Sequence, residues 1–495
     1  MGAGTAVVTT ATLFGTDARI VYVEVSALGG LPGIDIVGMP DTAVLEARSR
    51  VRCALRSCGF TLPRLHVTVS LAPGELRKSG TGFDLPIAVA ILAATHQLPP
   101  QVADGCLLVG ELTLDGSVCP VRGAAAYAEL AADSGLTLVA PAQQPLPGVW
   151  GAGARGICHL AQMRGGVEAL PPLDAVPEVA EGVAPALDFA DVVDQELAKR
   201  AMVIAAAGSH GVLMIGPPGA GKTMLARRLP TILPPLDECE AAEAMLIHSV
   251  AGQPIDALAR RERPFRAPHH SVSLGGLVGG GRPVLPGEVS LADKGVLFLD
   301  ELPEFSRAAL QALRQPLEEH EVRIRRVDGT YVFPCDFQLV AAANPCPCGH
   351  LGDPGHACTC PPGRVLSYQA RIGGPLLDRI DVVVDVARPS GSKVIRSQAG
   401  TGSAEMREQV MAAREFAAWR ADREGEATEG AVAAMRLDPA ARVAFEGMAE
   451  RLSLGGRSIV RVARVARTIA DLDARELVSV DDVTEALGFR SRDAS

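Results

Sequence analysis

The chain has 495 residues, 48% hydrophobic and 21% charged, which is material for about three packed domains and excludes an intrinsically disordered protein. A net charge of −10 excludes a protein that coats nucleic acid with its whole surface and leaves only a local basic element for that role. No apolar run approaches the ~18 residues that span a bilayer, and residues 1–6 lack the basic and apolar regions of a signal peptide, so a cytoplasmic protein is expected.

Residues 1–165 read as an α/β domain. Residues 7–13 and 20–25 have strand character. Residues 40–58 (PDTAVLEARSRVRCALRSC) form an amphipathic helix, with Asp41 as N-cap and Gly59 as its stop. The alternating run 65–71 (LHVTVSL) leads through the glycine-containing loop 77–84 into an apolar helix over 85–94. Residues 107–112, a turn at Asp115-Gly116 and a helix after Gly123 follow. The pieces GLPGIDIVGMPDTAVLEARSRVRCAL, RKSGTGFDLPIAVAIL and VGELTLDGSVCPVRGA resemble the Lon-protease-like domain of the ComM/YifB family of magnesium-chelatase-like ATPases. Lon-type peptidases use a serine–lysine dyad. Matching the loops puts Gly82 at the serine position and Ala125 near the lysine position, so the resemblance implies a binding or assembly domain and not a protease. Residues 166–186 turn Pro-, Gly- and Glu-rich and read as a linker.

The ATPase core is expected over 187–389. Residues 192–208 read as a helix, with Asp194 where similar ATPases usually carry glycine. The octet Gly216, Pro217, Pro218, Gly219, Ala220, Gly221, Lys222, Thr223 fits the phosphate-loop pattern G-x-x-x-x-G-K-[ST], between an apolar strand-like run and a helix. Glycines let backbone N–H groups turn toward phosphate oxygens, and the following helix presents its positive end. Lys222 would reach the β/γ-phosphates of ATP, and Thr223 would offer its hydroxyl to Mg²⁺. Residues 295–301 (GVLFLDE) are a buried strand ending in two carboxylates: Asp300 to hold Mg²⁺, Glu301 to polarise the attacking water. The apolar run 337–343 ends at Asn344, a candidate for orienting that water, the sensor-1 role of AAA+ ATPases. Segment 374–381 (GPLLDRID) resembles the one carrying the arginine finger in the magnesium-chelatase and MCM branch. Arg379 would then act on a neighbouring subunit's ATP; the alternatives are a salt bridge to Asp378 or Asp381, or Arg371 as the finger.

Two insertions interrupt this core. Residues 263–282 match the helix-2 insertion of the same branch and are too Gly- and Pro-rich for regular structure; His269 and His270 read as loop histidines. Residues 321–333 (EVRIRRVDGTYVF) read as a hairpin with a type I′ turn at Asp328-Gly329, placing Arg326 opposite Tyr331 and Arg325 opposite Val332. In the resembled ATPases this pre-sensor-1 hairpin points into a central pore. That makes Arg323, Arg325, Arg326 and Tyr331 candidates for gripping DNA, against the alternative of a solvated edge hairpin. Cys346, Cys348, Cys358 and Cys360 have the spacing C-x-C-x₉-C-x-C, suited to a structural Zn²⁺ site, with free or redox-paired thiols, or substitution by His350 or His356, as alternatives.

Residues 390–403 read as a second linker and 404–495 as a helical lid. Arg457 matches the family's sensor-2 residue, while Arg461 and Arg464 read as a solvated helix face. The expected fold class is α/β: the Lon-like domain, a P-loop AAA+ parallel-sheet core with both insertions, and the lid. The resemblance implies a homo-oligomeric ring, a hexamer, that uses ATP and Mg²⁺ to translocate DNA and promote branch migration in natural transformation. The rivals are a magnesium-chelatase motor subunit and a protein-remodelling ATPase.

Overall fold

The computed structural model describes residues 4–490 apart from 62–64, 148–149, 151–152, 175–186, 354, 373, 378, 391, 393–394, 396–399, 425–431 and 433–434. Most of the 166–186 linker, part of the 390–403 linker and Asp378 thus lie outside the described residues.

The N-terminal unit is built on one mixed sheet. β1 (Gly4–Phe14) and β2 (Asp17–Leu28) pair antiparallel along their full length, and β2 pairs with β4 (His66–Ala72). β3 (Gly33–Val37) closes one edge, and β5 (Cys106–Leu108), β8 (Thr137–Pro141) and β9 (Arg155–Ile157) extend the other, in the order β3-β4-β2-β1-β5-β8-β9. β6 (Glu111–Leu112) and β7 (Val118–Cys119) form a small ribbon around the Asp115-Gly116 turn. Helix α1 (Thr42–Ser57) has Asp41 as its N-cap, accepting from the Val44 N–H. Helix α2 (Asp84–Ala94) is buried on every face, which is why its sequence is apolar all round. Val167, Leu170 and Leu173 are buried on this unit, so its packing runs on to Leu173, past the boundary at 165.

The second unit is a five-stranded parallel sheet. β10 (Val212–Ile215), β11 (Phe265–Arg266), β14 (Val296–Leu299), β17 (Gln338–Ala343) and β18 (Val382–Asp385) lie in the order β11-β14-β17-β10-β18. Helix α4 (Glu196–Gly208) precedes β10, and helix α5 (Lys222–Ile232) follows its loop. Asp194, before α4, sits at φ +61°, the left-handed region where glycine is the easy choice, and its carboxylate accepts from the Ser390 N–H. The insertion 263–282 contains more regular structure than its composition suggested: β11, a short helix Leu274–Val278, and β12 (Gly279–Gly280) paired with β13 (Leu285–Pro286).

The lid helices α7 (Ser403–Glu424), α8 (Pro439–Arg451), α9 (Gly456–Leu472) and α10 (Val480–Gly488) do not form a separate core. Met406, Val410, Ala466, Ile469 and Phe489 share one cluster with Met202, Val212, Val340 and Val382. The Phe489 carbonyl accepts from the Val383 N–H and so covers part of the edge of β18.

Between the first two units, helix α3 (Ala124–Asp133) packs on helix α6 (Glu238–Ala251), with Ala125, Tyr127 and Ala128 clustered with Ala241, Ala244 and Met245. Ala125, near the lysine position of Lon-type peptidases, is fully buried there and donates its N–H to Ser249 Oγ.

Candidate nucleotide site and its surroundings

The carboxyl ends of β10, β17 and β14 lie side by side, with β17 between the other two. This is where ligands bind in open α/β sheets. Gly216 leaves β10 so close to β18 that a Cβ would come 2.1 Å from the Val386 carbonyl oxygen, which excludes any other residue. The loop then turns into α5, whose first residue is Lys222. The Lys222 ammonium is buried and donates to the carbonyls of Gly216 and Pro217 and, at 3.1 Å, to Asn344 Oδ1. Burial pulls it below its ordinary lysine range, and Asp300 and then Glu301 push it back up.

Thr223 donates its hydroxyl to Asp300 Oδ2 at 3.0 Å, and Asp300 Oδ1 accepts from the Glu301 N–H at 2.9 Å. The donor set therefore fits Mg²⁺, a hard cation that takes one or two protein oxygens plus substrate phosphates. Glu301 sits at φ +52°, a strained position for a non-glycine residue that aims its half-exposed side chain away from the strand. His270, from the insertion, brings Nδ1 to 3.4 Å from Glu301 Oε2. Sequence reasoning missed this contact, because a histidine pair in a Gly/Pro-rich loop carries no sign of what it folds against. Lys222, Thr223, Asp300, Glu301 and Asn344 thus converge as one site.

The arginines lie elsewhere. Arg379 is half-exposed and ion-paired with Glu318, not with Asp381. Asp381 is held by His210 Nδ1 at 2.9 Å and faces Arg464 at 3.6 Å. Arg371 pairs loosely with Glu304 at 3.7 Å. Arg457 is exposed in the first turn of α9. The solvated-face reading is overturned for Arg461, which donates to the carbonyls of Leu377 (2.7 Å) and Ile380 (3.0 Å); Arg464 is exposed and faces Asp381 at 3.6 Å. A helical stripe shows the spacing of cations, not backbone acceptors 80 residues away.

The hairpin forms from β15 (Glu321–Arg326) and β16 (Gly329–Pro334), with its turn one residue earlier than expected and its pairing therefore shifted by two. Arg326 pairs with Gly329, Arg325 with Thr330 and Ile324 with Tyr331, so Val327 and Asp328 occupy the turn. Neither has positive φ, so the type I′ turn is absent, and Gly329 (φ +143°) serves as a strand residue. Tyr331 stays on the face of Arg326 but moves one pair further from the tip, opposite Ile324. Arg323, Arg325 and Arg326 are exposed, whereas Tyr331 is buried, stacked on Phe14 of the N-terminal unit at 4.5 Å and donating to Asp328. Arg323 is ion-paired with Glu321.

Cys346 and Cys348 follow Asn344 directly, and Cys358 and Cys360 lead into the helix Pro362–Gln369. Their sulfurs lie within 4.8 Å of one another, three of the separations being 3.4, 3.6 and 3.7 Å. Four thiolates at a Zn–S distance of ~2.3 Å would stand about 3.8 Å apart at tetrahedral corners, so the cluster fits Zn²⁺. Backbone N–H groups of His350 and Thr359 help pull the Cys348 thiol down to about 5, while desolvation and the adjoining sulfurs raise Cys358 and Cys360. The loop abuts the phosphate loop: a Cβ on Gly349 would come 2.5 Å from Pro218, and Arg388 donates to the Pro218 carbonyl while facing Asp353 and His356. His350 and His356 flank Asp353 at 3.4 Å each, as a cluster separate from the four sulfurs.

Family models cover most of the chain: Magnesium chelatase, subunit ChlI over residues 188–394, Subunit ChlI of Mg-chelatase over 23–144, and the ChlI C-terminal model over 400–490. The chain is 39% identical over 498 residues to the YifB protein of Escherichia coli, covering 98% of this chain and 97% of the relative. It is 39% identical over 488 residues to the competence protein ComM of Haemophilus influenzae, covering 96% of each. The magnesium-chelatase 67 kDa subunit of Heliobacterium mobile is 28% identical over 202 residues, covering 34% of this chain and 30% of that one. Among the described residues no helix is long and apolar enough to cross a membrane. A parallel-sheet core with its phosphate loop and paired acids, a shared helical lid, and likeness along nearly the whole length place the chain in the ComM/YifB family of magnesium-chelatase-like AAA+ ATPases.

Proposed function

We propose that this protein is an ATP-hydrolysing ring motor, a hexamer, that translocates DNA and promotes branch migration of recombination intermediates. The nucleotide half rests on the convergence of Lys222, Thr223, Asp300, Glu301 and Asn344 at the carboxyl edge of one parallel sheet. Mg²⁺ bound with ATP supplies charge neutralisation on the phosphates. Lys222 exchanges its carbonyl and Asn344 partners for phosphate oxygens, and Thr223 and Asp300 present oxygens to the cation. Glu301 accepts a proton from water that Asn344 orients, with His270 beside its carboxylate at 3.4 Å. Arg379, exposed away from this cluster, serves the neighbouring subunit, and Arg457 is proposed as sensor 2 on the lid.

The DNA half is carried by one observation: Arg325 and Arg326 are exposed beside the hairpin tip of an otherwise acidic protein. They would track a phosphate backbone; Arg323 joins them if it leaves Glu321, and Tyr331 joins only if the hairpin leaves Phe14. The ComM relative is a competence protein, and the chelatase relatives reach only a third of this chain, so DNA is favoured over a porphyrin substrate. ATPase turnover measured with and without branched DNA tests this directly, on protein sized by light scattering. Stimulation is expected in wild type and is expected to vanish in Arg325→Ala/Arg326→Ala while basal turnover holds. Binding should weaken on the order of tenfold or more at moderate salt, with a shallower salt dependence. Unchanged stimulation in the double variant would remove the hairpin from DNA contact, and a total lack of stimulation by DNA in wild type would overturn the DNA reading.

The cysteine cluster is proposed to hold a structural Zn²⁺, because all four positions are protein sulfur. Elemental analysis should find about one zinc per chain. Cys346→Ser should lower that content and the melting temperature, and should weaken ATP binding through the Gly349–Pro218 contact. Metal-free wild-type protein would refute the site.

A further inference from the structure

The segment that carries Arg379 is held from the lid of its own subunit. Arg461, one turn into α9, places Nη1 2.7 Å from the Leu377 carbonyl oxygen and 3.0 Å from that of Ile380. These two residues bracket Arg379 in the chain, and its own N–H is tied to the Leu376 carbonyl. Nη2 of the same guanidinium donates to Ser458 Oγ at 3.2 Å, which fixes the fork on its helix. Immediately after the bracket, Asp381 is fastened a second time to the lid. Its Oδ2 meets His210 Nδ1 at 2.9 Å, His210 Nε2 meets Thr468 Oγ1 at 2.8 Å, and Arg464 faces the same carboxylate at 3.6 Å. Leu376 and Ile380 are buried while Arg379 is half-exposed and paired with Glu318, so buried neighbours anchor a side chain that reaches outward.

We propose that Arg461 is a positioning residue for Arg379, so that the lid of one subunit sets how its arginine meets the ATP of the next. This rests on the reading that Arg379 acts across the subunit boundary. Arg461 contacts the Arg379 segment and Ser458 of its own helix. Its hold is on backbone carbonyls, and a guanidinium's planar fork specifies direction as well as charge. Losing it leaves the nucleotide pocket of its own subunit intact and lets the base of Arg379 drift. Positioning errors of about 1 Å are enough to lower a rate on the order of 100-fold.

The position of Arg461 behind Arg379 makes its failure correctable by a neighbour. Arg461→Ala should lower kcat roughly tenfold to a hundredfold with little change in KM for ATP. The deciding experiment mixes subunits. Glu301→Gln subunits cannot hydrolyse but still present a sound Arg379, so mixing them with Arg379→Ala subunits should restore turnover above the sum of the two. The same mixture made with Arg461→Ala should be restored equally, because its hydrolytic residues are complete and only its outgoing arginine is misplaced. If the Arg379→Ala mixture is rescued and the Arg461→Ala mixture is not, Arg461 acts within its own site and the proposal fails. If the Arg379→Ala mixture is itself not rescued, the cross-subunit reading fails first, and the proposal with it. Arg461→Lys, which keeps a cationic donor without the fork, guards against misfolding: it should assemble as wild type, show an intermediate kcat and respond to the same rescue. An Arg461→Lys protein that assembles and is slow but cannot be rescued also overturns the proposal.

Discussion

Glu301→Gln is expected to bind ATP with nearly wild-type affinity and to hydrolyse it on the order of 10²- to 10⁴-fold more slowly. The substitution preserves length and hydrogen-bonding capacity, so the strained backbone at φ +52° and the Asp300 contact to its N–H should persist. What is lost is the negative charge that takes up the proton from water. The strain itself, on the order of 1–3 kcal/mol, is an argument for function: Glu301→Gly would relieve it and leave the enzyme more stable and equally inactive. Lys222→Ala should fail differently. The ammonium is the buried link among Gly216, Pro217 and Asn344, so its removal takes away both a phosphate ligand and the contact joining β10's loop to β17. ATP binding and turnover should then fall together. Fluorescent-nucleotide titration alongside phosphate release separates the two cases, and substantial turnover in both variants would refute the site.

The parts of this site that were legible in the sequence are those made locally. A glycine loop between a strand and a helix, an apolar strand ending in two acids, and a strand closing on asparagine each carry their chemistry within a few residues, and their order along the chain supplies the rest. The illegible parts are made across the fold. Nothing near His269 and His270 points to Glu301, and nothing in the spacing of Arg461 and Arg464 points to Leu377, Ile380 or Asp381. The hairpin shows a subtler failure. Asp-Gly is a strong turn signal, but here Val327 and Asp328 take the turn while Gly329, a residue that fits beside Phe14 because it has no side chain, enters the strand. The turn lies one residue earlier than the local preference indicates, and Tyr331, still on the face of Arg326, is covered by Phe14 of the N-terminal unit. In the same way, the lid reads in sequence only as a run of helices, yet buried residues of those helices complete the core of the sheet.

Arg379→Ala is expected to lower ATP turnover on the order of 10³-fold while leaving ATP binding and ring assembly nearly intact. The argument begins with its present partner. Arg379 is half-exposed and paired with Glu318, an ion pair at the surface that is worth little to stability, so its removal should barely move the melting temperature. A residue of small structural value on a segment clamped by four hydrogen bonds from Arg461, His210 and the Gly211 backbone is costly to build for no purpose. In the assembled ring, the guanidinium would exchange Glu318 for the γ-phosphate of the adjoining subunit, where its value appears only as charge develops in the transition state. That makes turnover depend on protein concentration in wild type, since a dissociated subunit lacks the arginine of its neighbour. Glu318→Ala supplies the complementary measurement: freeing Arg379 should leave turnover unchanged or raise it. If Arg379→Ala instead lowers stability while turnover per folded ring is unaltered, the arginine is a structural cation and Arg371 takes its place as the candidate finger.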